Sequence, residues 1–211
     1  MSKVLVMVLG AGATGKTTLS RALAGKKAQE YRVRLDITQK GERKLVQSPY
    51  VLGSALAIAG NLRNTSDAIG AMDALHQTID HCWTERDVVI TDGFRCTQKL
   101  VRWVEDHPLK PAALFVFIEL SLNTNLVRLR GRRARNGTVE HKLPPKTFLN
   151  VLRFRERSQG IWSYARHHYS RQPVQFLQVP EGNTPEENAA LIREKLREFS
   201  VKIGKAVTAA Q

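Results

Sequence analysis

The chain has 211 residues, 42% of them hydrophobic, and a formal net charge of +14. That length allows one domain with a real core, and the hydrophobic share argues against a disordered chain. The charge favours an anionic partner: nucleic acid, nucleotide or a membrane surface. The longest apolar run, Ala112 to Ile118, is far too short to span a bilayer, and the apolar start, Val4 to Leu9, is too short for a secretory leader. Cys82 and Cys96 have no zinc-type spacing, so a reduced, cytoplasmic setting is expected.

Lys3 to Leu9 (KVLVMVL) reads as a strand buried on both faces. A helix is expected from Lys16 to about Ala24, and Tyr31 to Asp36 alternates as a second strand. Glu42 to Gln47 and Tyr50 to Ala59 read as extended or mixed structure. Asp67 to Glu85 has helical spacing, with Ser66 as candidate N-cap. Asp87 to Thr91 is a strand, and Thr97 to His107 a helix stopped by Pro108. Ala112 to Leu120 is a buried strand, Leu122 to Arg133 a helix, Pro144 to Tyr169 mostly helical and Val174 to Val179 a last strand. Thr184-Pro185-Glu186-Glu187 is a capping box with proline at the first helical position, and it opens a final helix. Alternating strands and helices predict one α/β domain: a parallel sheet covered by helices on both faces.

Gly10-Ala-Gly-Ala-Thr-Gly-Lys-Thr17 fits G-x-x-x-x-G-K-[ST] without a mismatch, between a buried strand and a helix. Glycines let backbone N–H groups turn inward around phosphate oxygens, and the helix that follows points its positive end at the same anion. Gly10, Gly12, Ala13, Thr14, Gly15, Lys16, Thr17 and Thr18 are therefore the candidate nucleotide-binding residues. Lys16 reaches the β- and γ-phosphates, and Thr17 offers its hydroxyl to Mg²⁺. ATP with Mg²⁺ is the expected cofactor pair, and no Asn-Lys-x-Asp guanine signature appears. Asp92 ends a buried strand, where a carboxylate either holds Mg²⁺ or caps the turn before Gly93.

Asp92 to Gln98 (DGFRCTQ) resembles the DGFPRT…Q signature of adenylate kinases, with the proline missing. Leu126 to Arg133 (LVRLRGRR) resembles that family's helix entering the lid. Arg153 to Arg157 (RFRER), and Val179 to Thr184 before the final helix, follow its order. The resemblance implies a small P-loop kinase of the nucleoside monophosphate kinase-like type, with a short basic lid at about 128–147. It also implies that Arg95, Arg128, Arg132 and Arg155 clamp the transferring phosphoryl group. The AMP-binding segment is not recognisable between Asp36 and Glu85, which makes 36–70 the region for a different acceptor.

Asp36 looks like the aspartate with which polynucleotide kinases take the proton from an attacking hydroxyl. A hydroxyl nucleophile needs such a base, whereas a phosphate acceptor is already anionic. The competing reading pairs Asp36 with Arg34 or Lys40 at a strand end. In the polar loop Gly60 to Asp67, Asn61, Arg63, Asn64 and Ser66 are candidates for reading a base or sugar.

Arg128 to Arg171 carries twelve Lys or Arg against Glu140 and Glu156. Arg128 and Arg132, one helical turn apart, suit a lid over phosphates. Arg130, Arg133 and Arg135 face elsewhere and, with Lys142 and Lys146, suit a nucleic-acid backbone. Phe148, Phe154, Trp162, Tyr164 and Tyr169 interleave with this charge, as a flipped base or single strand requires, although core packing explains several of them. The expected acceptor is a hydroxyl carried on nucleic acid, with DNA preferred. Among families the pattern looks most like the bacteriophage kinases that phosphorylate 5-hydroxymethyluracil within DNA. A soluble (deoxy)nucleoside monophosphate kinase, a polynucleotide 5′-hydroxyl kinase and a nucleic-acid-stimulated ATPase are the rivals.

Overall fold

The computed structural model describes residues 3–135, 144–169 and 173–209, with side chains left aside at 133–135 and 201–209. β1 (Val4–Leu9) is buried at every position. Such a strand must lie inside a sheet covered on both faces. α1 (Lys16–Ala24) follows, then β2 (Gln29–Gln39), β3 (Glu42–Leu52) and β4 (Leu56–Ala59). Next come α2 (Met72–Glu85), β5 (Val88–Asp92), α3 (Gln98–Glu105) and β6 (Ala112–Ile118). α4 (Leu122–Arg135), α5 (Pro145–His168), β7 (Val174–Val179) and α6 (Pro185–Ala209) complete the chain. The capping box opens α6: the Thr184 hydroxyl accepts from the Glu187 amide at 3.2 Å, and the Glu187 carboxylate accepts from the Thr184 amide at 2.7 Å.

The seven strands form one sheet in the order β2-β3-β4-β5-β1-β6-β7. From β4 to β7 all neighbours run parallel. One core packs Leu5, Met7, Trp83, Leu100 and Phe115 beneath α2, α3 and α5. The other packs Val6, Leu19, Ile58, Leu114 and Ile192 beneath α1 and α6. No helix among the described residues is long and apolar enough to cross a membrane.

The sheet is not wholly parallel, because β2 and β3 form an antiparallel hairpin and β3 also runs antiparallel to β4. The hairpin turns on Lys40 and Gly41, both with positive φ (54° and 82°), the backbone that a two-residue hairpin connection demands. Asp36 therefore does not end its strand. Tyr31 pairs with Tyr50, which pairs with Ala59 at the end of β4. Five residues further along β2, Asp36 stands about 16 Å beyond that level. Leu35 and Ile37 are buried while Asp36 is exposed, so the alternation turns the acid away from the core.

The expected helix from Asp67 is also shorter than its periodicity suggests. A short 3-10 turn covers Ser66–Ala68, and α2 begins only at Met72, with Ala71 as N-cap. Ser66 caps nothing. Its hydroxyl is buried, donates to Ala59 O at 2.5 Å and shares a hydrogen bond with Thr91 Oγ1 at 2.9 Å. That bond ties the β4 loop to β5.

Candidate functional site

The parallel strands release their chains on one edge, so the loops after β4, β5, β1, β6 and β7 converge there. A cavity of about 850 Å³ occupies this edge, lined by the loop after β1, Arg63, Asp67, Asp92, the lid arginines and Arg157. Its length follows from the strand order. The loop after β7 supplies Pro180 and the first turn of α6 supplies Asn188 at one end, and the loop after β5 supplies Phe94 at the other. Three strand spacings separate the ends, about 14 Å.

At the centre, Gly10 has φ 148° and Gly15 has φ 94° as the N-cap of α1. A Cβ at Gly10 would stand 2.8 Å from Ile118 O and 2.9 Å from Thr14 Oγ1. Gly10→Ala is expected to displace the loop from β6 and weaken nucleotide affinity at least tenfold, read by nucleotide titration. The Lys16 ammonium donates to Gly10 O at 2.9 Å and Ala11 O at 2.7 Å, folded back over its own loop. Burial lowers its pKa, and Asp92 and Asp67 oppose that shift.

Asp92 is 1% exposed at the end of β5. Ser20 Oγ of α1 donates to it at 3.1 Å, and Thr65 Oγ1 donates to its other oxygen. Desolvation pushes its pKa up to about 6, against hydrogen bonds from Thr65 and Ser20 and the charge of Lys16. The folded chain thus holds a proton on Asp92 more tightly than the unfolded chain does. The benefit is present at low pH and fades as pH rises through about 6. Ionisation costs the protein roughly 3 kcal/mol, from about two units at about 1.4 kcal/mol each. Without nucleotide or divalent cation, Asp92→Asn is expected to raise neutral-pH stability and flatten its pH dependence between about pH 4 and 6. Denaturant melts at a series of pH values check this.

Asp67, which has no place among the candidates drawn from the sequence, faces the same centre. Its Oδ1 accepts from the Phe94 amide at 2.7 Å. Much of the residue is accessible, but its carboxyl group is desolvated, which raises its pKa, while the Phe94 amide, Lys16 and Arg95 pull the other way. The signal that could have found it is an acid closing a polar loop at a strand's carboxyl end.

The expected residues divide clearly. Gly10, Gly12, Ala13, Thr14, Gly15, Lys16, Thr17, Thr18, Arg63, Asp92, Arg128 and Arg132 line the cavity. Arg157, Phe94, Phe154 and Asn188 line it too; the first three lie inside the DGFRCTQ and RFRER stretches without being singled out for this cavity, and Asn188 lies in none of the motifs. Asp36 is not among the lining residues. Arg95 lies behind the wall and donates to Gly70 O at 2.9 Å. Arg155 donates to Leu120 O and braces α5 against the end of β6. Asn61 shapes its own loop by accepting from the amides of Arg63 (3.0 Å) and Asn64 (2.6 Å). Asn64 and Arg130 are exposed and line no part of the cavity. The side chains of Arg133 and Arg135, and Lys142 altogether, lie outside the described residues.

A glycine-rich turn between a buried strand and a helix, with its lysine curled over the loop, is the cradle that P-loop nucleotide-binding proteins use for phosphates. A family model described as AAA domain matches residues 6–143. The chain belongs to that family of P-loop NTPases, which includes kinases. No curated protein matches the chain.

The donor set also fits a magnesium ion. Among the described residues no group of three or more His, Cys, Asp or Glu comes together. A metal here would rest on phosphate oxygens, with the Thr17 hydroxyl and Asp92 as its protein partners, as Mg²⁺ does with nucleotides.

Proposed function

We propose that the protein is a kinase that moves the γ-phosphoryl group of ATP to a hydroxyl carried on nucleic acid. The best candidate acceptor is the hydroxymethyl group of 5-hydroxymethyluracil in DNA. The observation that carries this reading is a single cavity lined by Arg63, Arg128, Arg132 and Arg157 together with Lys16, Asp67 and Asp92. Planar guanidinium groups neutralise several oxygens at once, which suits a phosphoryl group in flight.

Adenine belongs at the β7 end. There Asn188 is 7% exposed, and its Oδ1 has no hydrogen-bond partner among the described residues, which suits a 6-amino group. The triphosphate then runs along the loop after β1, leaving the β5 end for the acceptor. Thr17 and Asp92 would hold Mg²⁺, which when bound neutralises the β- and γ-phosphate oxygens. We assign the acceptor's proton to Asp67 rather than Asp36, because Asp67 lines the cavity and Asp36 does not. Its raised pKa suits a general base. Lid closure from α4 excludes water, so the phosphoryl group reaches the acceptor rather than solvent. The free, buried Cys82 and Cys96 accord with a reducing cytoplasm.

The excess of basic residues in the lid region gives the acceptor's backbone its partner. Arg130→Ala combined with Lys146→Ala is expected to lower the salt slope of DNA binding by about two, one for each phosphate left without its cation. Titrations at several salt concentrations read this. The kinase reading itself is tested with γ-labelled ATP and 5-hydroxymethyluracil DNA. Label is expected in DNA in excess of free phosphate, and DNA-stimulated release of free phosphate alone would replace the kinase by an ATPase.

A further inference from the structure

We propose that Phe94 and Phe154 form a stacking platform for an unpaired nucleobase at the β5 end of the cavity. This rests on the nucleic-acid acceptor argued above and names the part of the acceptor that the site grips.

Phe94 is 43% exposed, whereas Phe115 and Phe117 are buried. An exposed phenyl ring is unremarkable on an open surface. Phe94 instead lines a cavity that it shares with Lys16, Asp67, Asp92 and Arg157 and with the apolar Ile118, Leu120 and Ile161. Phosphates and metal gain nothing from that ring, and it lies at the opposite end from the β7 loop assigned to adenine. An exposed aromatic face at the acceptor end of the cavity therefore points to a planar, apolar part of the second substrate.

The ring is held rather than loose. Asp67 accepts from the Phe94 amide at 2.7 Å, and Arg157 donates to the Phe94 carbonyl at 2.9 Å. Phe154 of α5 supports the ring, with centroids 4.1 Å apart and planes at 47°. A pinned aromatic loses little freedom when a base stacks on it. Arg63 and Arg157 stand in the same lining, as the flanking phosphates of a nucleotide within a strand require. Asp67 ties the platform to the chemistry: one carboxylate both fixes Phe94 and faces Lys16. A base stacked there presents its own substituent to the proton acceptor, which favours a hydroxyl on the base over one at a strand end.

The test uses the full-length protein and a single-stranded oligonucleotide carrying one 5-iodouracil, whose photochemistry links it to a stacked aromatic ring. Irradiation of the complex is expected to attach the strand at Phe94 or Phe154, located by peptide mapping. Phe94→Leu is expected to lose that product and to bind the strand at least about fivefold more weakly, the smallest loss one base–aromatic stack implies. Phe94→Tyr keeps a flat ring and is expected to restore both, which separates stacking from mere folding. Attachment at other residues, or equal affinity of the Leu variant and the wild type, would overturn the platform. Attachment at Phe94 in a protein that transfers no label to DNA would uphold the platform and remove the kinase reading.

Discussion

Lys16→Ala is expected to lower the rate of phosphoryl transfer by a hundredfold or more, about what removal of one preorganised charge costs at such a centre. The ammonium rests on the carbonyls of Gly10 and Ala11, within the Coulomb field of Asp92 and Asp67. Those bonds are made to its own loop and hold the group over the cradle. Alanine removes the cation and leaves two carboxylates facing an anionic substrate. Both binding and transfer therefore suffer. Single-turnover transfer from γ-labelled ATP measures the second, and nucleotide titration the first. Lys16→Arg is not expected to rescue the rate, because a planar fork cannot replace a compact ammonium inside the loop.

Asp67→Asn is expected to lower kcat by about a hundredfold to ten-thousandfold, the usual contribution of a positioned general base. Asparagine keeps the acceptor oxygen for the Phe94 amide, so the platform stays in place and ATP affinity should change by no more than about twofold. Burial raises the Asp67 pKa, so its part of the ascending limb of kcat/KM is shifted upward from the usual carboxylate value and is lost in the variant. Asp36→Asn is the paired control and is expected to leave kcat within about twofold of the wild type. A large loss in Asp36→Asn with a normal Asp67→Asn would return the base to the hairpin.

The parts legible in sequence are those written in local chemistry. Gly10 to Thr17 carries its own spacing, and its neighbours, a buried strand and a helix, are adjacent in the chain. Asp92 is legible because a short, mostly apolar strand ends on it. The capping box at Thr184 is legible because both of its bonds join residues three apart. Asp67 and Asp36 are not, because their roles depend on distant pairing. The register of β2 with β3 and β3 with β4 carries Asp36 past the sheet edge, whereas the Ser66 bonds to Ala59 and Thr91 pull Asp67 toward it. Neither relation is periodic. Arg155 and Arg157 differ by two positions on α5, and only the packing of that helix tells which lines the cavity. The family order points to Arg155, whereas Arg157 is the one in the lining.

The identity of the acceptor is the central claim. One preparation should be offered γ-labelled ATP with three acceptors side by side: 5-hydroxymethyluracil duplex DNA, ordinary DNA with free 5′-hydroxyls, and a set of mononucleotides. Label is expected on internal nucleosides of the first, recovered after digestion of the DNA. Label confined to mononucleotides would contradict that claim and leave a kinase of free nucleotides whose basic lid serves only the phosphates in its own cavity.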